Sequence, residues 1–226
     1  MNHRDGVESA VRAFRAGQPV LIHDAEDREG ETDLCYPAAA VAAADVARLR
    51  NDAGGLICVA LSHDVADAFE LPFLHQALDH PITRHEPSYD DRPSFSLSVN
   101  HRDTRTGITD RDRAKTIRAL ADAAAAPASF PFQTRFRAPG HVHLLRAADG
   151  LLATREGHTE LSVALARWAE LPPATVVCEM LDDETGEALP PSAARRYAEK
   201  TGLVYLEGSA VRDRTEPVVG PDPQHT

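Results

Sequence analysis

The chain lacks any long apolar run. Its apolar segments are much shorter than the roughly 18 residues that cross a membrane as a helix. The first residues, MNHRDGVESAVRAFRAG, are polar and amphipathic and contain no apolar signal-peptide core. These absences argue against a membrane-spanning or exported protein, and we expect a cytoplasmic location and no membrane partner.

Cysteine is scarce. The chain has only Cys35, Cys58 and Cys178, and no two of them lie close together in the sequence. Structural zinc sites and redox pairs need closely spaced cysteines, so this pattern argues against both kinds of site. We predict three free thiols in a reducing compartment, with Cys58 packed in the core.

Positive charge is scarce as well. The formal net charge is −11, and lysine occurs only at Lys115 and Lys200. Most of such a surface would repel nucleic acids and anionic membranes. We therefore expect no nucleic-acid partner, whereas a small anion in a local basic pocket remains compatible with the composition.

What the chain does contain is globular patterning. With 226 residues and 42% hydrophobic content it can form one sizeable core. Short β-type runs alternate with helical stretches, which predicts a layered α/β domain. The predicted strands are 19–25, 56–61, 95–99, 141–147, 151–155, 175–181 and 203–208, and the predicted helices are 6–17, 38–52, 110–125, 159–171 and 191–202.

Two segments follow neither period. Residues 72–93 carry four prolines and mixed charge, which predicts a long surface loop of the kind that often covers a site. The last residues are polar and rich in proline. We therefore predict a single domain over residues 1–210 and a flexible tail over residues 211–226.

An acidic segment, EDREGETD, follows the first predicted strand at 26–33. If the segment is extended, Glu29, Glu31 and Asp33 alternate along it and project their carboxylates to one side. Such oxygen ligands suit magnesium or manganese. A solvated turn after a strand explains the same residues without any ligand, and both interpretations stay open on this segment alone.

Two Gly-His pairs follow in RAPGHVH (137–143) and TREGHTE (154–160). Thr159 stands where the N-cap of the next helix is expected, and Arg155 lies just before it. A helix N-terminus beside an arginine is a ready anion site. A simple helix cap is the alternative.

Two further features have similar double interpretations. Thr109 and Asp112 have the spacing of a helix cap, and Thr106 lies just before them, so this helix start favours either capping or a phosphate contact. Glu179 ends an otherwise apolar strand, where a carboxylate either emerges at the strand end or meets a charge in a site.

Taken together, these motifs resemble one family. The segments DAEDREGETDL, GGLICVAL, FSLSV, TGITDRDRAKTIRAL, PGHVHLLRA and REGHTELSVALARWAELPPATVVCEML occur in the order found in 3,4-dihydroxy-2-butanone 4-phosphate synthases of riboflavin biosynthesis. The likeness covers about residues 5–208. The acidic loop of that family typically reads D-R-E-N-E-G-D, and here Gly30 and Thr32 replace the Asn and the Gly. Arg105 stands in place of the first threonine of the family's T-T-G segment.

The resemblance implies a fold and an assembly. We expect an α/β fold, a single-domain three-layer α-β-α sandwich around a mixed sheet. We also expect a homodimer with active sites near the subunit interface, and a requirement for Mg²⁺ or Mn²⁺. The implied reaction is a carbon–carbon lyase reaction that converts the sugar phosphate D-ribulose 5-phosphate to L-3,4-dihydroxy-2-butanone 4-phosphate and formate.

The resemblance also implies roles for individual residues. The expected metal ligands are Glu29 and His158. The expected catalytic residues are Glu31, Asp33, His141 and Glu179. The expected substrate-binding residues are Arg28, Glu29, Asp33, Thr106, Arg155, Glu156, Gly157, His158, Thr159 and Glu179.

Two competing functions use the same residue types. A different metal-dependent sugar-phosphate isomerase or aldolase needs the same cation, base and phosphate anchor, and formate release would distinguish it. A binding module that has lost the chemistry is the other alternative. No second cysteine-rich cyclohydrolase domain is expected, so we predict a monofunctional enzyme.

Overall fold

The structure is a computed structural model that describes residues 3–26, 28–84 and 92–214. A mixed seven-stranded sheet with the order β4-β5-β3-β6-β2-β1-β7 forms its centre. The strands are β1 (Val20–His23), β2 (Thr32–Pro37), β3 (Cys58–Leu61), β4 (Phe95–His101), β5 (Phe136–Arg146), β6 (Ala174–Val177) and β7 (Val204–Glu207). Only the β1–β7 and β3–β5 pairs are parallel. The remaining four neighbouring pairs are antiparallel.

Helices cover both faces of this sheet. They are α1 (His3–Arg15), α2 (Ala43–Arg48), α3 (His63–Ala68), α4 (Leu74–Ala77), α5 (Asp110–Ala125), α6 (Phe132–Arg135), α7 (His158–Trp168), α8 (Pro191–Thr201) and α9 (Gly208–Arg212). Short 3₁₀ turns occupy Ala38–Ala40, Pro81–Arg84 and Leu151–Ala153, and a π-helical turn occupies Leu49–Ala53. None of the helices in the described part of the chain is long and apolar enough to span a bilayer.

The two faces of the sheet have separate apolar cores. One core joins side chains of α2, α5 and α8 to the sheet, with Leu34, Val59 and Ile117 among its fully buried members. The other joins α1, α7 and α9 to the opposite face through side chains such as Phe14 and Leu165. Burial of each such side chain contributes about 1.5–3 kcal/mol. The expected α/β three-layer sandwich around a mixed sheet is therefore confirmed.

Several predicted elements are confirmed, one predicted strand is wrong, and one strand of the sheet was not predicted. Helix α5 spans the predicted 110–125, and the Thr109 side chain caps it by accepting a hydrogen bond from Asp112 N at 3.1 Å. The predicted strand 151–155 begins instead with a 3₁₀ turn, which follows a left-handed Gly150. Strand β2 was not predicted, because its first residues were assigned to the acidic segment.

The two irregular segments are described in part. The predicted loop 72–93 contains α4 and the 3₁₀ turn at Pro81–Arg84, and its residues 85–91 lie outside the described residues. Helix α9 continues past the predicted tail boundary at residue 211, and Val211 is buried. The rest of the predicted tail, 215–226, lies outside the described residues.

Candidate active site

The acidic segment folds around one buried carboxylate, that of Asp24, directly after β1. Arg28 Nη1 donates to Asp24 Oδ2 at 2.9 Å, and Glu31 N donates to Asp24 Oδ1 at 3.0 Å. Glu29 N makes a longer contact of 3.4 Å with Oδ2. Gly30 has φ of +66°, a conformation that glycine adopts at little cost. Asp24 thus holds the segment as a compact turn instead of an extended run.

Three carboxylates leave this turn toward one cavity. Glu29 lies in the turn itself, Glu31 follows it, and Asp33 lies in β2 with its side chain almost completely buried. The predicted convergence of the three side chains is therefore present, although Glu29 reaches the cavity from a turn and not by strand alternation. Three like charges at one place require compensating positive charge nearby.

Helix α7 supplies the first part of that charge. Its first residue, His158, is buried, and its Nδ1 lies 3.5 Å from Glu29 Oε2 and 3.7 Å from Asp33 Oδ1. The N-cap of α7 is Gly157, so the prediction of Thr159 as the cap is wrong. Gly157 has extended backbone angles and the helix begins at His158, one residue before Thr159. Thr159 therefore lies within the first turn, where it is buried.

Two guanidinium groups lie against Gly157. A Cβ built on this residue would lie 2.8 Å from Arg28 Nη2 and closer still to Arg155 Nη1, so any larger residue would displace the two guanidinium groups. Arg155 Nη1 also donates to Glu160 Oε2 at 2.6 Å, and Glu160 is fully buried. The start of α7 therefore combines free backbone N–H groups with two positive charges, as an anion site requires.

Glu179 enters the same cavity from the end of β6. Its backbone pairs with Asp33 in an isolated antiparallel bridge, which places the two residues side by side. Leu56 N donates to Glu179 Oε2 at 2.7 Å, and Gly55 N donates to Glu179 O at 3.0 Å. A Cβ on Gly55 would collide with this glutamate, which explains the glycine in the segment GGLICVAL.

The cavity formed by these groups has a volume of about 260 Å³. Its polar wall contains acids, an imidazole, a guanidinium and hydroxyl groups, and its apolar wall comes from the sheet. The lining residues are Glu29, Glu31, Asp33, Cys58, Pro93, Ser94, Phe95, Leu145, Arg155, His158, Thr159, Val177 and Glu179.

Burial and charge separate the acid strengths within this cluster. Burial disfavours the ionised form of Glu29, but a hydrogen bond with His158 and nearby positive charge outweigh this effect and lower its pKa to about 2. Burial raises the pKa of Asp33, although the charge of His158 opposes it, and burial also raises the pKa of Glu31. Burial alone would lower the pKa of His158, but its acidic neighbours raise it. The cavity therefore holds proton donors and acceptors together.

The donor set fits a hard divalent cation. One oxygen or nitrogen atom from each of Asp24, Glu29 and His158 lies within 4.8 Å of the other two. Among the described residues, His158 Nε2 and Asp33 Oδ1 are buried without a hydrogen-bond partner, as expected where a bound group completes the site. Both Asp24 oxygens already accept hydrogen bonds from the turn. Glu29 and His158 are thus the better candidates for metal ligands.

Three predicted site residues lie apart from this cavity. His141 is exposed on β5 and contacts the Asn100 side chain, and the same Asn100 amide donates to Thr106 O. Leu145 lines the cavity from the same strand four residues later, which separates it from His141 by roughly 13 Å. Glu156 is not among the lining residues and pairs with Arg212 of α9.

Asp24 was not predicted as a site residue. Its signal was present, because an aspartate at a strand end lies four residues before Arg28, and the two form an ion pair. Ser94 and Phe95 were also missed as cavity residues, since nothing in a strand sequence indicates which end faces a site.

Fold and site together define a three-layer α/β protein whose sheet carries a candidate acid–imidazole metal site beside a candidate anion site. The sequence model of the family described as 3,4-dihydroxy-2-butanone 4-phosphate synthase matches residues 8–213. The chain belongs to this family and is thus an enzyme of riboflavin biosynthesis.

The relatives that it matches are of similar length. The chain is 50% identical over 217 residues to the 3,4-dihydroxy-2-butanone 4-phosphate synthase of Archaeoglobus fulgidus, covering 90% of this chain and 91% of the relative. Identity to the synthase of Methanosarcina mazei is 47% over 221 residues, covering 92% and 90%. A solved synthase structure in complex with two magnesium ions superimposes with a TM-score of 0.78 at 30% identity, covering 90% of this chain and 93% of that one.

Proposed function

We propose that this enzyme converts D-ribulose 5-phosphate to L-3,4-dihydroxy-2-butanone 4-phosphate and formate. The observation that carries the proposal is the convergence of Glu29 and His158, two further acids and Glu179 in one cavity beside two arginines. A ketopentose phosphate needs a cation site near its carbonyl, acid–base groups along its carbon chain and an anchor for its phosphate. The cavity offers all three.

The phosphate is proposed to bind at the start of α7. There the backbone N–H groups of the first helical turn, the helix dipole and the Arg155 guanidinium converge on one place. Arg28 lies against the same Gly157 and adds a second charge. Thr159 lines the cavity and supplies a hydroxyl donor. This anchor fixes the orientation of the carbon chain relative to the acids.

Glu29 and His158 are proposed to hold Mg²⁺ or Mn²⁺, which when bound would stabilise the oxyanion that develops when the ketone becomes an enediol. The family relative with two magnesium ions supports this choice. The protein side chains do the remaining work. A carboxylate removes the proton next to the carbonyl, and the neighbouring acids Glu31, Asp33 and Glu179 donate and accept protons while the skeleton rearranges and one carbon leaves as formate.

The predicted homodimer gives a role to the residues outside the cavity. Three large apolar side chains near these groups are exposed, namely Leu56, Leu181 and Ile108. Leu56 N donates to Glu179, and Leu181 follows Glu179 by two residues. Ile108 follows Thr106 by two residues. We propose that a two-fold interface brings the His141 and Thr106 group of one protomer to the acidic cavity of its partner. Such an interface pairs the two patches reciprocally.

The test of the reaction is direct. Purified protein is incubated with ribulose 5-phosphate and Mg²⁺, and formate is measured over time. Metal-dependent formate release supports the proposal. Consumption of substrate without formate would indicate an isomerase or aldolase instead, and tight substrate binding without turnover would indicate a binding module.

The metal ligands are tested by linked substitutions. Glu29→Gln and His158→Asn should each weaken Mg²⁺ binding and abolish most turnover. Because both act on one ion, the double variant should cost far less than the product of the two single losses. Unchanged Mg²⁺ affinity in Glu29→Gln would contradict this assignment.

A further inference from the structure

A second cavity lies outside the proposed active site, beside the C-terminal end of α7. Its volume is about 430 Å³, and it shares no lining residue with the acidic cavity. The turn at 148–153 and the ends of α3, α7 and α9 form its walls. This volume falls in the range of small-molecule sites, roughly 300–1,000 Å³.

One side of this cavity is aromatic and apolar. Trp168, Leu151 and Leu152 line it, and all three side chains are only half-buried. Leu151 has φ of +52°, a conformation that costs a non-glycine residue about 1 kcal/mol or more. This strained residue lies in the cavity wall, and strained backbone conformations are often found at ligand-binding sites.

The other side is charged, with three arginines and two aspartates. Arg167, Arg212 and Arg214 line the cavity, and the Arg214 guanidinium carbon lies 4.6 Å from the centre of the Trp168 ring. Arg214 Nη1 is buried and has no hydrogen-bond partner among the described residues. A guanidinium over an indole makes a cation–π contact, which holds the ring in place at the cavity wall.

The carboxylate partners of these arginines are solvent-exposed. Arg214 Nη2 pairs with Glu8 at 3.1 Å, and the Glu8 side chain is 49% exposed. Arg167 pairs with Asp64 at 3.1 Å, and the Asp64 side chain is 79% exposed. Arg212 pairs with Glu156 at 3.1 Å, and both side chains are more than two-fifths exposed. Exposed pairs of this kind contribute little, about 0–1 kcal/mol. A bound phosphate or carboxylate can therefore replace these carboxylates at small cost.

We propose that this cavity binds an aromatic phosphate of mononucleotide size, with its ring against Trp168 and its phosphate at Arg167 and Arg212. The sugar phosphate of the proposed reaction has no ring and would leave the Trp168 wall uncovered. The cavity is lined by three arginines and by two aspartates, Asp64 and Asp149, so its charged lining has an excess of one positive charge in a chain with a net charge of −11, which favours an anionic ligand.

The chain offers a site-specific readout, because Trp168 is its only tryptophan. Full-length protein is titrated with adenosine 5′-monophosphate, adenosine or inorganic phosphate while Trp168 emission is recorded, with excitation where purines do not absorb. The nucleotide should give a saturable change in emission. Adenosine alone and phosphate alone should each bind at least about tenfold more weakly, because each lacks half of the contacts.

Variants locate the phosphate. The double variant Arg167→Gln, Arg212→Gln should weaken nucleotide binding by about tenfold or more. Arg196→Gln, which removes the same charge from the exposed face of α8, should leave it unchanged. Circular dichroism and urea unfolding verify that both variants are folded.

Three results would overturn the proposal. These are an emission that does not respond to the nucleotide, equal nucleotide affinity in the wild type and the double variant, or inorganic phosphate that binds as tightly as the nucleotide. None of these readouts depends on turnover, so the outcome is independent of the proposed reaction.

Discussion

At the scale of single residues, Asp24 shows how one carboxylate can build a site without lining it. The Asp24 side chain is fully buried, and that of its partner Arg28 is 10% exposed. Asp24 also accepts hydrogen bonds from the backbone N–H groups of Glu29 and Glu31. Removing one member of a buried ion pair leaves the other member uncompensated. Glu29, the proposed metal ligand, would then lose the turn that positions it.

Replacement of Asp24 by asparagine should therefore affect both folding and activity. We expect Asp24→Asn to lower the free energy of unfolding by about 3 kcal/mol, measured by urea denaturation. Asp64→Asn is the matched control, because Asp64 forms an exposed aspartate–arginine pair with Arg167. Its loss should cost less than about 1 kcal/mol. Equal losses in the two variants would show that the turn does not depend on the buried pair.

Gly157 supports a second prediction at this scale. Its backbone angles, φ −83° and ψ 170°, suit any residue, so the effect of a side chain at this position is steric and not conformational. Gly157→Ala should push Arg28 and Arg155 apart and raise the KM for ribulose 5-phosphate roughly tenfold or more, with little change in unfolding.

The control for this substitution is Gly6→Ala in α1. A Cβ there would meet Leu206 Cδ1 at an ordinary 3.7 Å. Its KM should match that of the wild type. A Gly157→Ala enzyme with wild-type KM would place the phosphate away from these two guanidinium groups.

At the scale of elements, α7 couples the site to the core. It starts with the buried His158, and most of its following residues are buried as well, including Leu165. Leu165→Ala should reduce the free energy of unfolding by about 2–5 kcal/mol in urea, because a cavity would remain in the core. Leu78→Ala, at a leucine that is 47% exposed, should cost much less. Similar costs would mean that α7 can repack around the smaller side chain.

The sequence predicted elements well where one signal dominated. The capping threonine and the apolar period set α5, and apolar runs set β1, β3, β4 and β7. Prediction of elements from the sequence failed where the local residue pattern and the tertiary packing disagreed. The segment LLATR has β-type residues, but left-handed Gly150 starts a 3₁₀ turn there. Strand β2 was not predicted because Thr32 and Asp33 were assigned to the acidic segment, although they also pair with β1.

The candidate site was predictable to a similar extent. Motif order pointed to the acids, His158 and Glu179, and the structure brings them together. The part played by Asp24 and the position of His141 depend on how the chain folds around a turn and on which strand end faces the cavity. Local sequence does not contain that information.

At the scale of the whole molecule, the position of His141 constrains how the two protomers of the proposed dimer are arranged. His141 is exposed and roughly 13 Å along β5 from the acidic cavity of its own chain. If the reaction needs His141 together with Glu29, one protomer cannot supply both to the same site. Each active site of the proposed dimer would then combine Glu29 of one protomer with His141 of the other.

Mixing two inactive variants tests this arrangement. Glu29→Gln and His141→Asn should each be inactive alone. In a mixed dimer both substitutions fall in one site, and the other site is wild type. Co-expression in equal amounts should then recover roughly a quarter of wild-type formate release, because about half of the dimers are mixed and each has one intact site.

The control pair is Glu29→Gln with Glu31→Gln, since both residues line the same cavity. Their mixed dimers contain one defect in each site and should stay inactive. Recovery with His141→Asn but not with Glu31→Gln requires that the two protomers share each site. Inactivity of both mixtures, with dimers verified by sedimentation, would instead require His141 to act within its own chain, and β5 would then have to move toward the cavity when substrate binds.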